Sequence, residues 1–455
     1  MRLPARIRRT LRLWCLPFAA TAAGQPQEFI LPNDLKLIVQ EDHRAPVAVV
    51  QVWYKVGSSY EHDGTTGLSH ALEHMMFKGT KRRAPGEFSR LVAARGGREN
   101  AFTTTDYTAY FEEWAASNVA LSFELEADRM RNLRFDAQDF AKEMNVIMEE
   151  RRMRTDDNPQ ALASEAVDAV AFLTSPYRHP VIGWQSDLET MRLEDLKGWY
   201  QRWYAPNNAI VVVVGDVEPA RIRDLALKYF GPLAKQPITP PKPRTEPEQR
   251  GIRRLTFKSE SAKLPYLLMA YKAPVLVEAL AKRTNAEPWE IYALDVLAET
   301  LDGDPSARLT RNLVRGKQLA AEVESSYSPA ARLESLFGFA AVPTAGHTLE
   351  ELETAIDAEI AEIQKAPPTA AELARIKTRV VADKTFQLDS VFYQAMMIGS
   401  LQAVGLDWRL KDDYVERIRA VTAEQVQAVA RKYLTEDRLT VAYLLPVTKG
   451  AADAR

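Results

Sequence analysis

Two histidines and a glutamate are spaced so that they could act on one metal ion. His70, Glu73 and His74 stand at positions i, i+3 and i+4, which fall on one face of a helix. Two imidazoles one turn apart can bind a single zinc ion, with Zn–N distances of about 2.0–2.1 Å. The carboxylate between them is placed to take a proton from a water at that ion. Apolar residues that could pack this helix surround the face: Leu68, Leu72, Met75 and Met76.

The order of the three residues is His-x-x-Glu-His, the inverse of the more common His-Glu-x-x-His order of zinc sites. Two histidines one turn apart also occur as a hydrogen-bonded surface pair, and a five-residue pattern arises by chance. The motif alone therefore leaves zinc chemistry and a surface pair both open, and the decision depends on the rest of the chain.

A third metal ligand elsewhere in the chain would favour zinc chemistry, because catalytic zinc usually takes three protein ligands and leaves the fourth position to water. Residues 140–152 carry apolar side chains at helical spacing and predict a second helix. Glu143 and Glu150 lie two turns apart on one face of that helix, and Glu149 is rotated away from it. The alternative is that these glutamates are ordinary solvated helix charges beside Arg151 and Arg152.

The composition is that of a large globular chain. At 455 residues, of which 46% are hydrophobic, the chain can bury large cores, and its length favours two domains. The formal net charge is −2, so neither nucleic acid nor an anionic membrane is indicated as a partner. After the N-terminal region, the sequence contains no apolar run long enough to span a bilayer.

Residues 1–24 have the pattern of a secretory signal peptide. A basic region is followed by a short apolar stretch that ends in small residues. The alternative is a disordered basic tail on a cytosolic protein. The single cysteine, Cys15, lies in this segment, so the exported chain would contain none. That would exclude a thiol nucleophile, a disulfide framework and thiolate zinc ligands.

The elements that must position the motif are strands on both sides of it, followed by helices. The patterns predict strands within residues 28–56 and at 100–104, 108–112 and 209–215. They predict helices at 88–94, 120–131, 137–154, 160–172, 193–204 and 218–229. Together these elements predict an N-terminal catalytic, zinc-binding domain over residues 25–234.

A proline-rich linker at residues 235–250 is predicted to be extended and stiff. Beyond it the pattern repeats over residues 251–455, with strands at 255–258 and 266–271 and a helix at 289–301 that occupies the place of the metal helix but has no histidine. The final helix and strand repeat as well, because Val426, Val429 and Tyr433 have the spacing of three earlier residues, Leu196, Trp199 and Trp203. The chain is therefore predicted to contain an internal repeat with one catalytic and one degenerate copy.

Nearly all of the chain after the leader resembles the pitrilysin family of zinc peptidases, which includes insulin-degrading enzyme and the mitochondrial processing peptidase. The resemblance rests on residues 67–80, 96–103, 146–150, 157–159 and 205–208. It implies an α+β fold of two homologous domains, each a mostly antiparallel sheet packed with helices.

The resemblance also implies roles for individual residues. His70 and His74 would be zinc ligands with Glu150 as the third, so that one Zn²⁺ is bound per chain. Glu73 would be the general base, and Glu143 a supporting carboxylate that we group with it among the catalytic residues. The choice of Glu150 over its neighbour rests on the family's spacing and on the match with Glu143.

The predicted strand at Asn100, Ala101 and Phe102 would be the edge on which an extended peptide substrate is laid. Main-chain hydrogen bonds along such an edge bind almost any sequence, and side-chain pockets set the preference. Without the resemblance, a turn before the strand is an equally good role for Asn100.

One segment departs from the family. Active members usually carry an arginine and, one turn and a loop later, a tyrosine that bind the substrate carbonyl. Alignment on Gln318-Leu319-Ala320 puts Val314 and Ala321 at those two positions. Arg315 is one residue off, and Tyr327 is too far along the chain.

The implied function is an exported, periplasmic zinc endopeptidase or oligopeptidase that hydrolyses unfolded or extended peptides through a zinc-activated water with Glu73 as base. The family's closed chamber contains four repeats and this chain has two, so a second chain is expected. A homologous chain carrying the Arg/Tyr pair would form a heterodimer that restores both donors, which a homodimer would not. The alternative is a non-catalytic or assembly subunit that kept the metal motif as scaffold.

Overall fold

The structure, a computed structural model, describes residues 24–242 and 244–447. Cys15 and all but the last residue of the predicted signal peptide lie outside the described residues. The fold consists of two sheets with helices packed on them.

In chain order, the strands of the described residues are β1 Gln27–Ile30, β2 Lys36–Glu41, β3 Val47–Tyr54, β4 Arg98–Thr103, β5 Thr108–Ala115, β6 Ala209–Gly215, β7 Arg253–Ser259, β8 Tyr266–Ala273, β9 Ala320–Ser326, β10 Ser335–Pro343 and β11 Leu439–Pro446. The α-helices are α1 Leu68–Met75, α2 Glu87–Ala93, α3 Val119–Asn132, α4 Ala137–Arg151, α5 Pro159–Ala171, α6 Gln185–Thr190, α7 Leu193–Trp203, α8 Pro219–Tyr229, α9 Leu276–Leu280, α10 Pro288–Asp302, α11 Leu349–Lys365, α12 Ala370–Gln387, α13 Val391–Ala403, α14 Leu410–Ala420 and α15 Ala423–Tyr433. Two π-helical segments span Arg152–Asp156 and Thr310–Gly316.

The first sheet has the order β1-β2-β6-β3-β5-β4. Strands β2 and β6 are parallel, and the other neighbours are antiparallel. Every residue of β6 is buried, as expected for a continuous apolar run covered on both faces. Val211 and Val213 face the core that contains α1, whereas Val212 and Val214 face a second core on the opposite side. The sheet is therefore a layer between two layers of helices, and β4 is left at its edge.

The second sheet repeats the topology of five of the six strands of the first, all except β1. Its order is β7-β11-β8-β10-β9, with β7 and β11 parallel and the other neighbours antiparallel. These strands correspond in turn to β2, β6, β3, β5 and β4 of the first sheet. The predicted α+β class, with two homologous and mostly antiparallel sheets, is confirmed.

Each half of the chain contributes one helix to the sheet of the other half. Helix α13, from the second half, packs on β3 and β6 of the first sheet. Helix α5, from the first half, packs on β7, β8 and β11 of the second. The face that α5 presents consists of Ala163, Val167 and Ala171, which recur every four residues and so form one stripe. The exchange covers the outer face of each sheet. The predicted division at residues 235–250 stays a prediction.

A glycine allows α13 to approach the first sheet closely. A Cβ atom built on Gly399 would lie 2.1 Å from a ring carbon of Trp53. Trp53 is fully buried between the strands and α13 and donates a hydrogen bond to Gln51 at 3.0 Å. Because the indole is held from the sheet side, it cannot move away from a larger side chain at residue 399 without disturbing the core.

Two predicted helices have different ends in the structure. The stretch 67–80 is helical only over Leu68–Met75, and a turn through Gly79, with φ of +86°, follows it. The helix predicted at 137–154 ends at Arg151 and continues as the π-helical segment Arg152–Asp156. Single-turn π segments often occur at functional sites, and this one lies beside the predicted metal motif.

The linker has no helix or strand over residues 234–242 and 244–252, but it is anchored to both halves. Glu246 accepts hydrogen bonds from the backbone N–H groups of Leu173, Thr174 and Ser175 at 2.8–3.0 Å. It also pairs with Lys272 at 2.8 Å. Burial opposes ionisation of Glu246, but these donors and Lys272 together lower its pKa to about 2. The linker is therefore packed rather than a free spacer.

We expect Gly399→Ala to lower the free energy of unfolding by about 1–3 kcal/mol, because a methyl group there overpacks a filled core. The matched control is Gly198→Ala in helix α7, where a Cβ atom meets nothing within 4 Å. The control should stabilise the protein by about 0.5–1 kcal/mol, since alanine favours a helix over glycine. Urea unfolding of the two variants measures the difference. Equal effects would show that the α13 contact is not tight.

Candidate metal centre

Helix α1 is held in place by its apolar side. Leu68, Ala71 and Leu72, with Met76 at the C-cap, are buried in the core beneath the first sheet. The other side of the helix carries His70, Glu73 and His74, which are only partly buried. The packing of the apolar side thus directs the three polar side chains toward β4 and α4.

The N-terminus of α1 is capped by a buried carboxylate. Glu61, which is 2% exposed, accepts hydrogen bonds from the backbone N–H groups of Gly67 and Ser69, both at 2.7 Å. Gly67 has φ of +87°, which favours glycine. Burial raises the pKa of Glu61 to about 7, although the bonds from Ser69 and Gly67 oppose the rise. The cap satisfies donors that a helix end leaves free.

The structure brings together His70, His74 and Glu150. Glu150 Oε2 lies 3.3 Å from His74 Nε2 and 3.8 Å from His70 Nε2. Ligand atoms about 2.0–2.1 Å from a tetrahedral zinc ion are separated from each other by about 3.3 Å. Within the described part of the chain, these three residues are the group of histidine and acidic side chains whose ligand atoms all lie within 4.8 Å of one another. The donor set and its spacing fit a zinc ion.

The electrostatics of His70 suit a metal ligand. Burial, and secondarily the charge of His74, lowers the pKa of His70 to about 3, which keeps its imidazole neutral. Neutral imidazole is the form that binds metal. His70 Nε2 is the ring nitrogen that faces Glu150, and Nδ1 is buried with no hydrogen-bond partner among the described residues.

His74 is oriented from behind by Glu143. Glu143 Oε2 lies 3.3 Å from His74 Nδ1, and Glu143 Oε1 pairs with Lys78 at 2.6 Å. A proton on Nδ1 donated to Glu143 leaves Nε2 free for a metal, which is the usual carboxylate–histidine arrangement at zinc sites. Glu143 therefore contacts the ligand rather than the reacting atoms, and its role would be exerted through His74.

The two adjacent glutamates of α4 point in different directions. Glu150 faces the histidines, with 17% of its side chain exposed. Glu149 is 54% exposed and pairs with Arg152 on the outside of the helix. The arrangement is the one expected from the shared face of Glu143 and Glu150.

Glu73 lies between the two histidines and the edge strand. Thr103, the last residue of β4, donates a short hydrogen bond from its hydroxyl to Glu73 Oε2. Burial is the main cause that raises the pKa of Glu73, and the bond from Thr103 opposes it. A partly desolvated carboxylate held by one donor is suited to exchange a proton.

A cavity of about 1110 Å³ opens over these side chains. Its walls include Asn100, Ala101 and Phe102 of β4, and its other lining residues all lie between His70 and Ile182. Because β4 is an edge strand, bonded only to β5, one side of its backbone is unpaired within the sheet. Asn100 Oδ1 accepts the N–H of Ala101 at 2.9 Å, a local contact of the kind expected for a turn residue.

Val314 and Ala321 are not part of this cavity. Val314 packs against the core of the second half, and Ala321 is exposed on β9. Neither carries a donor that could bind a carbonyl group. The described residues that line the cavity all come from the first half.

Four residues near the site had no role in the sequence interpretation: Glu61, Lys78, Thr103 and Arg154. Thr103 directly follows the three residues predicted to bind the substrate, and Arg154 is four residues after Glu150, a spacing at which helical side chains meet. The contacts of Thr103 and Arg154 with the site could therefore have been predicted from their positions in the sequence. Glu61 and Lys78 acquire their contacts only through folding.

Comparison with known proteins extends over both sheets. The family described as Insulinase (Peptidase family M16) matches residues 36–184, and the one described as Peptidase M16 inactive domain matches residues 190–380. The zinc protease PqqE of Helicobacter pylori is 31% identical over 419 residues, covering 91% of this chain and 92% of that protein. A Bacillus subtilis protein described as uncharacterized zinc protease YmxG is 26% identical over 90% of this chain and 96% of its own length. The crystal structure of a protease from Helicobacter pylori has a TM-score of 0.87 at 31% identity and covers 93% of this chain and 100% of that one.

None of the helices in residues 24–242 and 244–447 is both long enough and apolar enough to cross a bilayer.

We expect Glu150→Gln to weaken zinc binding by more than about 100-fold, beyond the 10–100-fold typical for partners of ligands. Glu149→Gln is the matched control, because it breaks only an exposed pair that solvent screens. Metal content after dialysis and chelator competition measure both. Equal losses in the two variants would mean that the carboxylate ligand has been assigned to the wrong residue.

Proposed function

Because the chain belongs to the insulinase family of peptidases, peptidase family M16, we propose that it is a zinc-dependent endopeptidase or oligopeptidase that acts on unfolded or extended peptides. The observation that carries the proposal is the grouping of His70, His74 and Glu150 beside Glu73, in a cavity bordered by an unpaired strand edge. The homologues named zinc proteases support this activity.

In the proposed site, some side chains bind the metal and another transfers a proton. A zinc ion held by His70, His74 and Glu150 would act as a Lewis acid and lower the pKa of a water. Glu73 then accepts the proton of the attacking water on its carboxylate and delivers it to the leaving amine. Thr103 holds Oε2 of Glu73 by a hydrogen bond, and both residues line the cavity. Glu143 acts through His74, by holding its ring and the proton on Nδ1.

The substrate backbone is proposed to pair with β4. An extended peptide laid against Asn100, Ala101 and Phe102 would add a strand to the sheet, and this places its chain beside Glu73. Main-chain pairing explains how one site can accept many sequences. Folded proteins offer few free strand edges, so unfolded or extended peptides are the expected substrates.

A homologous partner chain is proposed to complete the site. The described lining of the cavity comes only from the first half, and Val314 and Ala321 offer no carbonyl donors. A donor of this kind is worth about 2.7–4 kcal/mol in acyl chemistry. A chain that lacks the zinc motif but carries the arginine and tyrosine would supply both donors across a heterodimer interface. A homodimer would close the cavity without restoring them.

The second candidate is a non-catalytic or assembly subunit. The family match over residues 190–380 bears the description inactive domain, and the missing donors favour the same interpretation. The complete set of His70, Glu73, His74 and Glu150 favours the enzyme.

Export to the periplasm is proposed from the pattern of residues 1–24.

Glu73→Gln should abolish peptide cleavage while zinc stays bound, because glutamine keeps the shape of the side chain but cannot accept the proton. The assay is hydrolysis of an unstructured peptide, with metal content measured on the same sample. Glu87→Gln, a change of the same kind on the surface helix α2, controls for the loss of one charge. Wild-type turnover in Glu73→Gln would refute the role of Glu73, and absence of cleavage by the wild type in every assembly state would favour the non-catalytic subunit.

The purified chain alone should cleave a flexible peptide poorly in the presence of zinc. Adding a homologous chain with the arginine and tyrosine should raise the rate by about 10²–10³ for each donor restored. Size-exclusion chromatography of the mixture should show one complex of both chains. Full activity of a monomer or homodimer would contradict the need for a partner.

A further inference from the structure

Arg154 occupies an unusual position beside the metal group. It lies in the π-helical segment Arg152–Asp156 that follows α4, and it lines the cavity. Its guanidinium nitrogen is 2.6 Å from Glu150 Oε1, and 76% of its side chain is exposed. Arg154 thus contacts the proposed third ligand from the solvent side.

The two oxygens of Glu150 have different partners. Oε2 faces His74 Nε2 at 3.3 Å and His70 Nε2 at 3.8 Å. Oε1 forms an ion pair with Arg154 Nη1 at 2.6 Å. A carboxylate can bind zinc through one oxygen or through both, and an oxygen already engaged by a guanidinium is a poor second ligand. The pairing therefore selects a single oxygen for the metal.

We propose that Arg154 is a positioning residue that fixes Glu150 as a one-oxygen metal ligand and keeps the fourth position open. The inference rests on the proposed zinc function. A fourth position left free of protein ligands is what distinguishes a catalytic zinc site from a structural one. Arg154 acts through Glu150, since Glu150 lies between the guanidinium and the histidines and its negative charge offsets the repulsion between two cations.

The adjacent ion pair, Glu149 with Arg152, is an exposed pair that serves as a comparison. Glu149 and Arg152 pair with each other and are 54% and 53% exposed. Glu150 is only 17% exposed, so its orientation is restricted by the protein on one side and by Arg154 on the other. The chain therefore provides its own control for the loss of one arginine next to the site.

The test compares zinc affinity of the full chain by chelator competition. Arg154→Met should weaken zinc binding by about 10-fold, the lower end of the range for partners of metal ligands, because the arginine is largely exposed. Arg152→Met should leave the affinity unchanged. Arg154→Lys should restore part of the loss, since it keeps a donor but not the planar fork. Circular dichroism verifies that each variant is folded.

The coordination itself is read from the cobalt-substituted protein. Four-coordinate cobalt(II) absorbs strongly in the visible region, and five-coordinate cobalt(II) absorbs weakly. The wild type and Arg152→Met should show the strong band, and Arg154→Met the weaker one as Glu150 gains the freedom to bind through both oxygens. An unchanged spectrum and affinity in Arg154→Met would overturn the inference while leaving the zinc function intact. A wild type that binds neither metal would overturn the proposed function, and the inference with it.

Discussion

The site depends on one physical constraint: helix α1 must bury its apolar side. Leu68, Ala71, Leu72 and Met76 pack into the core below the first sheet, and this fixes the rotation of the helix about its axis. A helix with that rotation presents its opposite side, with the two histidines, to the cavity. The buried cap by Glu61 fixes its N-terminal end as well. The positions of the ligand atoms are therefore consequences of hydrophobic packing, and the polar contacts refine them.

Both sheets need apolar cover on two faces, and each receives one covering helix from the other half of the chain. A strand such as β6 has apolar side chains on both faces and must be covered on both. The helices of the first half cover one face, and α13 from the second half covers the other. Helix α5 does the same for the second sheet. Once both faces are covered, the free surface of the first sheet is its edge, and the edge beside the metal group is β4. The second half thus supports the site by packing, although it contributes none of the described residues that line the cavity.

The glutamates around α4 differ in their environment because each pairs with a different cation. Six of the acidic and basic side chains around α4 form pairs of different function. Glu143 is neutralised by Lys78 and holds His74; Glu150 is paired with Arg154 and faces the histidines; Glu149 and Arg152 pair in solvent. Among the described residues, Glu73 forms no ion pair with a lysine or arginine and accepts a hydrogen bond from the hydroxyl of Thr103. Burial raises its pKa, so it is the carboxylate best suited to exchange a proton. In the proposed mechanism, Glu73 moves the protons and the paired glutamates hold positions.

The sequence by itself determined the elements and the chemistry that is local to a helix. The 3.6-residue period places His70, Glu73 and His74 on one face, and the same period separates Glu150 from Glu149. The repeat and the α+β class were also readable, because strands and helices leave patterns within a few residues of each other. Tertiary structure decided how distant segments meet: the approach of Glu150 to the histidines, the cap by Glu61, the contact of Thr103 with Glu73, and the exchange of α5 and α13. A periodic pattern states which side of an element is buried, but not against which partner. That choice is made by the packing of the whole chain, where many apolar surfaces compete for the same cores.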